Sequence, residues 1–406
     1  MKVIHLTDTL PGAHKKWGGA ERVAEKTIDL AAKFGAENMV FCLKPDIWNK
    51  NYPFFVLRTM EERFGWRVAS AIRSILPFDF LAYFETLKLL KKIKPDVVHL
   101  HNVSEISLAP ILAAKRLKIK VALAVYDYWY FCPKRILIKK DGALCRDFHG
   151  IACQGCFEPK RLPRIENLFL PLRRKIFDYF LNKIDKFLTL SEASKNLLAD
   201  YGISKDRIVV IPAPITPVFE KAISGDSKKI IFAAWLSPHK GLHIILEAMP
   251  EVLQSAPDAK LIVSANGGDA GYKQGIENLI KSLGMENNVL ILAKKDADIG
   301  ELIKEAALVV IPEQWENMSP VLMLEGALAG MPMVLSRVGG IPEFISDERF
   351  LAEHNNPTDW AKKILWIFQN QDEARRIMQE EIKPKVEKML DADHLKGSIK
   401  NLYESK

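Results

Sequence analysis

The chain has 406 residues, a formal net charge of +8 and a pI near 9.0, with 48% apolar and 27% charged residues. That balance excludes a disordered or collagen-like chain, and no run approaches the roughly 18 uninterrupted apolar residues of a spanning helix. The length predicts two domains, and the basic excess fits an anionic partner: a nucleotide sugar or an anionic lipid surface, with nucleic acid ranked last for want of a motif.

Short apolar runs at Val3–Leu6, Met39–Leu43, Val97–Leu100, Val121–Val125 and Phe187–Leu190 have the length and composition of buried strands. Glu21–Phe34 places Val23, Ile28, Leu30, Ala31 and Phe34 on or near one stripe, which predicts a helix stopped by Gly35. Ile208–Ile211 closes this series, and Pro212-Ala-Pro214 forbids a continuing helix and reads as a stiff linker. A second series follows at Ile230–Ala234, Leu261–Ser264, Val289–Leu292, Leu308–Ile311 and Met333–Leu335. Strands alternating with helices predict an α/β protein of two doubly wound, Rossmann-like domains, residues 1–212 and 213–390, facing a cleft at the carboxyl ends of their strands. Residues 391–406 should form a helix that crosses back onto the first domain. The N-terminus turns polar too quickly for a signal peptide, so the expected location is cytoplasmic.

The most informative stretch runs from Pro312 to Gly330. A loop bearing Glu313 and Glu316 enters Ser319-Pro320, a preferred N-cap followed by a preferred first helical residue, so the helix should start there. Its free N–H groups and partial positive charge suit a phosphate. Glu325 lies five residues past Pro320, roughly 7.5 Å along a helix axis, about the reach from a pyrophosphate to its ribose. The stretch therefore predicts nucleotide-sugar binding.

Four of the five cysteines, Cys132, Cys145, Cys153 and Cys156, fall in an irregular insertion at residues 130–158. Cys153-Gln-Gly-Cys156 has the spacing of a zinc knuckle. In a reducing compartment a structural four-thiolate zinc site is the favoured use, with free thiols and disulfides as the alternatives. Cys42, in an apolar run, reads as core.

Seven motifs occur in one order: Gly18-Gly-Ala-Glu-Arg-Val23, Asp96-Val-Val-His-Leu-His101, Asp127-Tyr-Trp129, Ser191-Glu-Ala-Ser194, Lys240-Gly241, Pro320–Glu325 and Gly339-Gly-Ile-Pro-Glu343. The set resembles glycosyltransferase family 4, whose members have the GT-B fold, retain anomeric configuration and need no metal. The resemblance implies transfer of a sugar from a nucleoside-diphosphate sugar to a glycan or lipid-linked acceptor, without a catalytic cofactor. It implies that Gly18 and Gly19 form a loop approached closely by phosphate or sugar. It gives Lys240 and the amides near Ser319 to the pyrophosphate, Glu325 to the ribose hydroxyls, and His101 and Asp127 to acceptor binding and positioning. Some family members also carry a similar cysteine segment.

Three positions depart from the pattern. The usual pair of glutamates is separated by seven residues, whereas eight separate Glu316 from Glu325, so Glu316, Glu313 and Asn317 all compete for the first role. Trp235 stands where an arginine is common, leaving Arg337 or His239 to substitute. Tyr126 replaces a histidine and carries no charge at neutral pH. These departures keep open a catalytically inactive relative that binds nucleotide sugar or glycan, and less favourably a GT-B-fold epimerase. Finally, residues 160–186 (Lys160, Arg161, Arg164, Arg173, Arg174, Lys175, Lys183, Lys186) and Phe64–Lys94 (with Trp66, Arg67 and Arg73) mix basic and apolar residues as a peripheral contact with an anionic membrane would.

Overall fold

The computed structural model describes residues 1–15, 17–156, 163–216, 228–293 and 299–405. The chain divides into two compact units, Met1–Pro214 with Asp391–Lys406, and Ile215–Leu390. The first contains strands β1 (Lys2–Leu6), β2 (Glu37–Cys42), β3 (Phe54–Val56), β4 (Val97–Leu100), β5 (Lys120–Ala124), β6 (Lys186–Thr189) and β7 (Ile208–Val210), paired in the order β3-β2-β1-β4-β5-β6-β7. The second contains β8 (Lys229–Leu236), β9 (Lys260–Gly268), β10 (Val289–Ala293), β11 (Leu308–Ile311), β12 (Met333–Ser336) and β13 (Leu351–Ala352), ordered β10-β9-β8-β11-β12-β13. Every described pairing of these strands is parallel.

The strands are apolar on both faces because helices cover both, the arrangement that parallel sheets require. Val3, Ile4 and Leu6 in the first unit and Ile230, Ile231 and Phe232 in the second are buried. The first helix spans Gly19–Lys33, buries Val23, Ala24, Ile28 and Ala31, and gives way to Gly35 at φ +81°. The C-terminal helix, Ala392–Glu404, belongs to the first unit, where the Tyr403 hydroxyl lies 2.8 Å from His99 Nδ1 and Lys120 Nζ donates to the Tyr403 carbonyl at 2.9 Å.

In each unit the chain fills one side of its first strand and then the other. The order of connection reverses between β1 and β4 in the first unit and between β8 and β11 in the second. Loops leaving the carboxyl ends of such a strand pair part in opposite directions and leave a crevice, the usual ligand position in an open α/β sheet.

Candidate functional site

In the second unit the loops after β8 and β11 meet at that reversal. The Gln314 amide donates to the His239 carbonyl at 2.8 Å, and Lys240 Nζ donates to Glu313 Oε1 at 2.6 Å. Glu313 is almost fully buried, and its other oxygen accepts from the Trp315 indole N–H. Lys240 also lies 5.6 Å from the Trp315 ring centroid. A buried carboxylate held by an ammonium and an indole is a satisfied charge. The loops can close this far only because residue 241 is glycine: φ is +73°, and a Cβ there would sit 1.9 Å from the Pro312 carbonyl oxygen. Gly339, after β12, has φ +55° and lets its backbone approach Asn317, where a Cβ would fall 2.2 Å from the carbonyl oxygen. Lys240, Glu313, Glu316, Asn317, Ser319 and Gly339 thus belong to one locus.

The helix that follows does not begin as the sequence suggested. It spans Val321–Ala329, with Pro320 as its cap at φ −59° and ψ 124°, and the Ser319 side chain caps nothing. The reason is local: Asn317 Oδ1 accepts from the Ser319 amide at 3.1 Å, a side-chain turn that holds the chain extended through Pro320. Ser319 Oγ is buried and meets no partner among the described residues, as is Ser336 Oγ at the end of β12. An unmade hydrogen bond of this kind costs about 1–3 kcal/mol. Glu325 is buried on this helix.

Neither candidate substitute for the missing arginine supplies a second available cation. Arg337 is held in ion pairs by Glu348 and, at 3.0 Å, by Glu353. Burial, helped by the Lys240 charge, lowers His239 to about 4, so it is neutral at physiological pH. Trp235 itself is half exposed and lies over Gly267, whose Cβ would fall 2.5 Å from the indole ring.

In the first unit the register that sets His5 beside His99 also places His101 on the same face of β4. All three are buried. Asn38 Nδ2 donates to the Ile28 carbonyl, which turns its Oδ1 toward His5 Nε2 at 3.2 Å. His5 Nδ1 lies 3.0 Å from His101 Nε2, and His101 Nδ1 lies 2.9 Å from the Tyr126 hydroxyl. The Asn38 orientation fixes the direction of the chain: each group donates toward Asn38, and Tyr126 donates to His101. Burial pushes His5 down to about 4 and His99 and His101 well below their usual value, so all three are neutral. Tyr126 therefore turns its hydroxyl inward, and His101 has both ring nitrogens engaged.

Asp127 lies beyond the end of β5, accepting from the Trp129 amide at 2.8 Å and facing Arg135 at 3.7 Å. Burial raises its pKa. Gly18 and Gly19 are exposed at the start of the first helix, where Glu21 reaches back to accept from the Gly18 amide at 2.8 Å and from Asn102 Nδ2 at 2.8 Å. Asp8 belongs to none of the sequence motifs. It is buried past the end of β1 and accepts from the amides of Glu105 and Ile106 at 2.9 Å each, while burial raises its pKa to about 7. Its signal in the sequence is position alone, a carboxylate just after the first strand.

All five cysteines are free thiols in the structure. Of the basic stretch, Lys160 and Arg161, and the side chain of Arg164, lie outside the described residues. Arg173 is buried over the Phe177 ring, and Arg73 is buried between Glu61 and Glu105, so neither belongs to an exposed basic face. No described helix is long and apolar enough to cross a membrane.

Two family models match in succession, glycosyltransferase family 4 over residues 17–218 and glycosyl transferases group 1 over residues 217–384. The chain belongs to glycosyltransferase family 4. An uncharacterized glycosyltransferase of Methanocaldococcus jannaschii is 35% identical over 127 residues, 31% of each chain. A D-inositol 3-phosphate glycosyltransferase of Corynebacterium aurimucosum is 27% identical over 207 residues, 46% of this chain and 48% of that one. The matched part thus spans a third to about half of these relatives. HepE of Anabaena, solved with UDP-glucose, aligns over 100% of both chains at 16% identity with a TM-score of 0.71, a likeness that establishes the GT-B fold.

Proposed function

We propose that this family 4 chain is a retaining glycosyltransferase that moves a sugar from a nucleoside-diphosphate sugar to a glycan or lipid-linked hydroxyl. The observation that carries the reading is the Lys240–Glu313 bridge at the β8/β11 reversal, beside the start of the helix that bears Glu325. Lys240 supplies a point charge to the donor's diphosphate, the role to which an ammonium is suited. The amides and the orphan hydroxyl around Ser319 supply hydrogen bonds to the same group, and Glu325 takes the ribose hydroxyls. Glu313 is bonded to Lys240 and Trp315, and we assign the donor sugar to Glu316, which is buried in the same loop.

In the step we assign, the anomeric C–O bond to the diphosphate breaks and the acceptor oxygen bonds to the same face of the sugar. The acceptor's proton passes to the departing phosphate oxygen. Such a step asks the protein for position and for stabilisation of the leaving diphosphate. The cation and amides of this locus meet that need, and the reading requires no metal. Asp127 and the Gly18-Gly19 loop would face the acceptor, with His101 acting only through Tyr126.

One observation favours a second reading, a relative that binds nucleotide without turnover. Trp235 gives no charge where a cation is common, and Arg337 is already held by two carboxylates. Calorimetric titration of nucleosides and nucleoside diphosphates, uridine nucleotides first because HepE was solved with UDP-glucose, separates these cases. Lys240→Ala should weaken a diphosphate by about 10- to 100-fold, as loss of a charge-assisted contact of about 1.5–3 kcal/mol implies, and leave the nucleoside nearly unchanged. Equal weakening of both would remove Lys240 from the diphosphate. Diphosphate binding without donor turnover would promote the second reading.

Within the two mixed stretches, the exposed apolar side chains rather than Arg73 and Arg173 are the candidates for membrane contact. Trp66, Phe84, Leu168 and Leu172 are all exposed on helices of the first unit, at 51%, 61%, 70% and 46%. We assign these exposed apolar side chains to contact with the surface of an anionic bilayer carrying the acceptor.

A further inference from the structure

The structure gathers Cys132, Cys145, Cys153 and Cys156 around one cavity of about 290 Å³, and we propose that these four sulfurs hold a structural zinc ion. The inference is independent of the sugar-transfer reading. An irregular stretch of chain places all four in the lining of this cavity. Cys132 lies in a turn in which its amide bonds the Tyr128 carbonyl at 2.8 Å and its carbonyl accepts from Arg135 at 3.0 Å. The Lys134 and Leu137 amides approach its sulfur. Cys145 follows a two-residue bridge between Ile138 and Leu144 and is tied back through its amide to the Leu137 carbonyl at 2.7 Å. Cys153 and Cys156 bound a single helical turn, Cys153–Cys156, and the Cys156 sulfur reaches the Ile138 carbonyl at 3.5 Å.

A second observation concerns charge. Arg173 is 4% exposed, donates to the Trp129 carbonyl at 3.0 Å and lies 3.8 Å from the Phe177 ring centroid, yet faces no carboxylate among the described residues. Cys132 and Cys153 would oppose its charge only as thiolates. Buried cations are normally paired. Zinc bound by four thiolates carries two net negative charges, so a loaded site gives Arg173 the counter-charge that neutral thiols do not.

The sulfurs stand apart in the structure. Among the described residues the one trio of His, Cys, Asp or Glu with ligand atoms all within 4.8 Å of one another is His5, His99 and His101. There the facing nitrogens of His5 and His101 are already hydrogen-bonded at 3.0 Å. The donor chemistry of the cysteine cavity fits zinc, and drawing the four sulfurs inward is the part of this segment's folding that we assign to the ion. Because the segment starts five residues after Asp127 and contains Arg135, its partner, the ion would brace the approach to that carboxylate.

The test is metal analysis of the full chain purified without chelator. One zinc per chain is expected, with a zinc-edge absorption spectrum giving four sulfur neighbours at about 2.3 Å. Cys153→Ser with Cys156→Ser should lose the metal, Cys156→His should retain it as a three-sulfur, one-nitrogen site, and Cys42→Ser should change nothing. The spectrum of the unaltered protein decides the matter even if the double variant fails to fold. Iron in place of zinc, four freely reactive thiols after reconstitution with zinc, or full zinc in the double variant would each overturn the assignment.

Discussion

Gly241→Ala changes one methyl group and should uncouple the two loops of the second unit. At φ +73° an alanine enters the left-handed region at a cost of about 1–2 kcal/mol. Its Cβ would lie 1.9 Å from the Pro312 carbonyl oxygen, and restoring even 3.0 Å requires the loops to part by about 1.1 Å. Both obstacles are backbone atoms, so no side chain can rotate away. Overpacking of this kind costs about 1–3 kcal/mol, giving about 2–5 kcal/mol in all. For a unit the size of Ile215–Leu390 this corresponds to a fall in Tm of roughly 5–15 °C. The displacement also lengthens the 2.6 Å Lys240–Glu313 contact, so affinity for a nucleoside diphosphate should fall with stability. Gly275→Ala is the control, because a Cβ there meets nothing within 4 Å and the residue lies inside the exposed helix Ala270–Ser282. That change should stabilise by about 1 kcal/mol. Scanning calorimetry and nucleotide titration of both variants provide the readout. A Gly241→Ala protein within about 1 °C of the parent would refute the loop packing. A large fall in Tm with unchanged affinity would instead refute the assignment of this loop to the diphosphate.

Two further predictions concern the first unit. Asp8 has its pKa raised from 3.8 to about 7, so the folded chain holds a proton that the unfolded chain releases. Stability should therefore fall as pH rises from about 4 to 7, by up to about 4 kcal/mol, since each tenfold change in proton affinity is worth about 1.36 kcal/mol, and Asp8→Asn should flatten that slope. Parallel curves of Tm against pH for the two proteins would show that Asp8 does not carry the effect. Phe84→Glu with Leu168→Glu should abolish co-sedimentation with phosphatidylserine vesicles while leaving Tm nearly unchanged, since both side chains are exposed. Undiminished co-sedimentation would remove these side chains from membrane contact.

Much of the fold was legible because a parallel sheet buried on both faces demands continuous apolar runs, which do not depend on distant partners. β3 and β13 leave no such signal. They have three and two residues, lie at the outer edges of their sheets, and are too short for any periodicity to register. The helix starts at Val321 rather than at Ser319-Pro320 because the capping preference of Ser319 is a local propensity. It is overridden by another local one, the Asn317 side chain accepting from the Ser319 amide. At the site, Lys240-Gly241 could be found as a motif, but its partner could not. Whether Glu313 or Glu316 meets Lys240 depends on how the loop turns after β11, and the two are only three residues apart. The neutral histidine chain was equally hidden: His5 and His101 are 96 residues apart and meet only through the β1–β4 register.

The two reversals now ask for different chemistry. In the second unit an ammonium shares its locus with a helix start and the orphan hydroxyl of Ser319, and the carboxylate that balances the ammonium is bonded on both oxygens. Such a locus gains from an added anion with several acceptor oxygens. In the first unit the helix that begins at Gly19 already has a carboxylate on its positive end, because Glu21 holds the Gly18 amide. Asp8 and Asp127 add acceptors, Arg135 is turned to Asp127, and the three histidines are neutral. A second phosphate would meet repulsion there, whereas a hydroxyl would find acceptors for its proton. The open space around Gly18, where a Cβ would touch only Glu21 Oε2 at 3.5 Å, is compatible with the proposed close approach of a neutral, hydroxyl-bearing group. Charge distribution thus supports the proposed division, in which the diphosphate goes to the second unit and the sugar hydroxyls to the first.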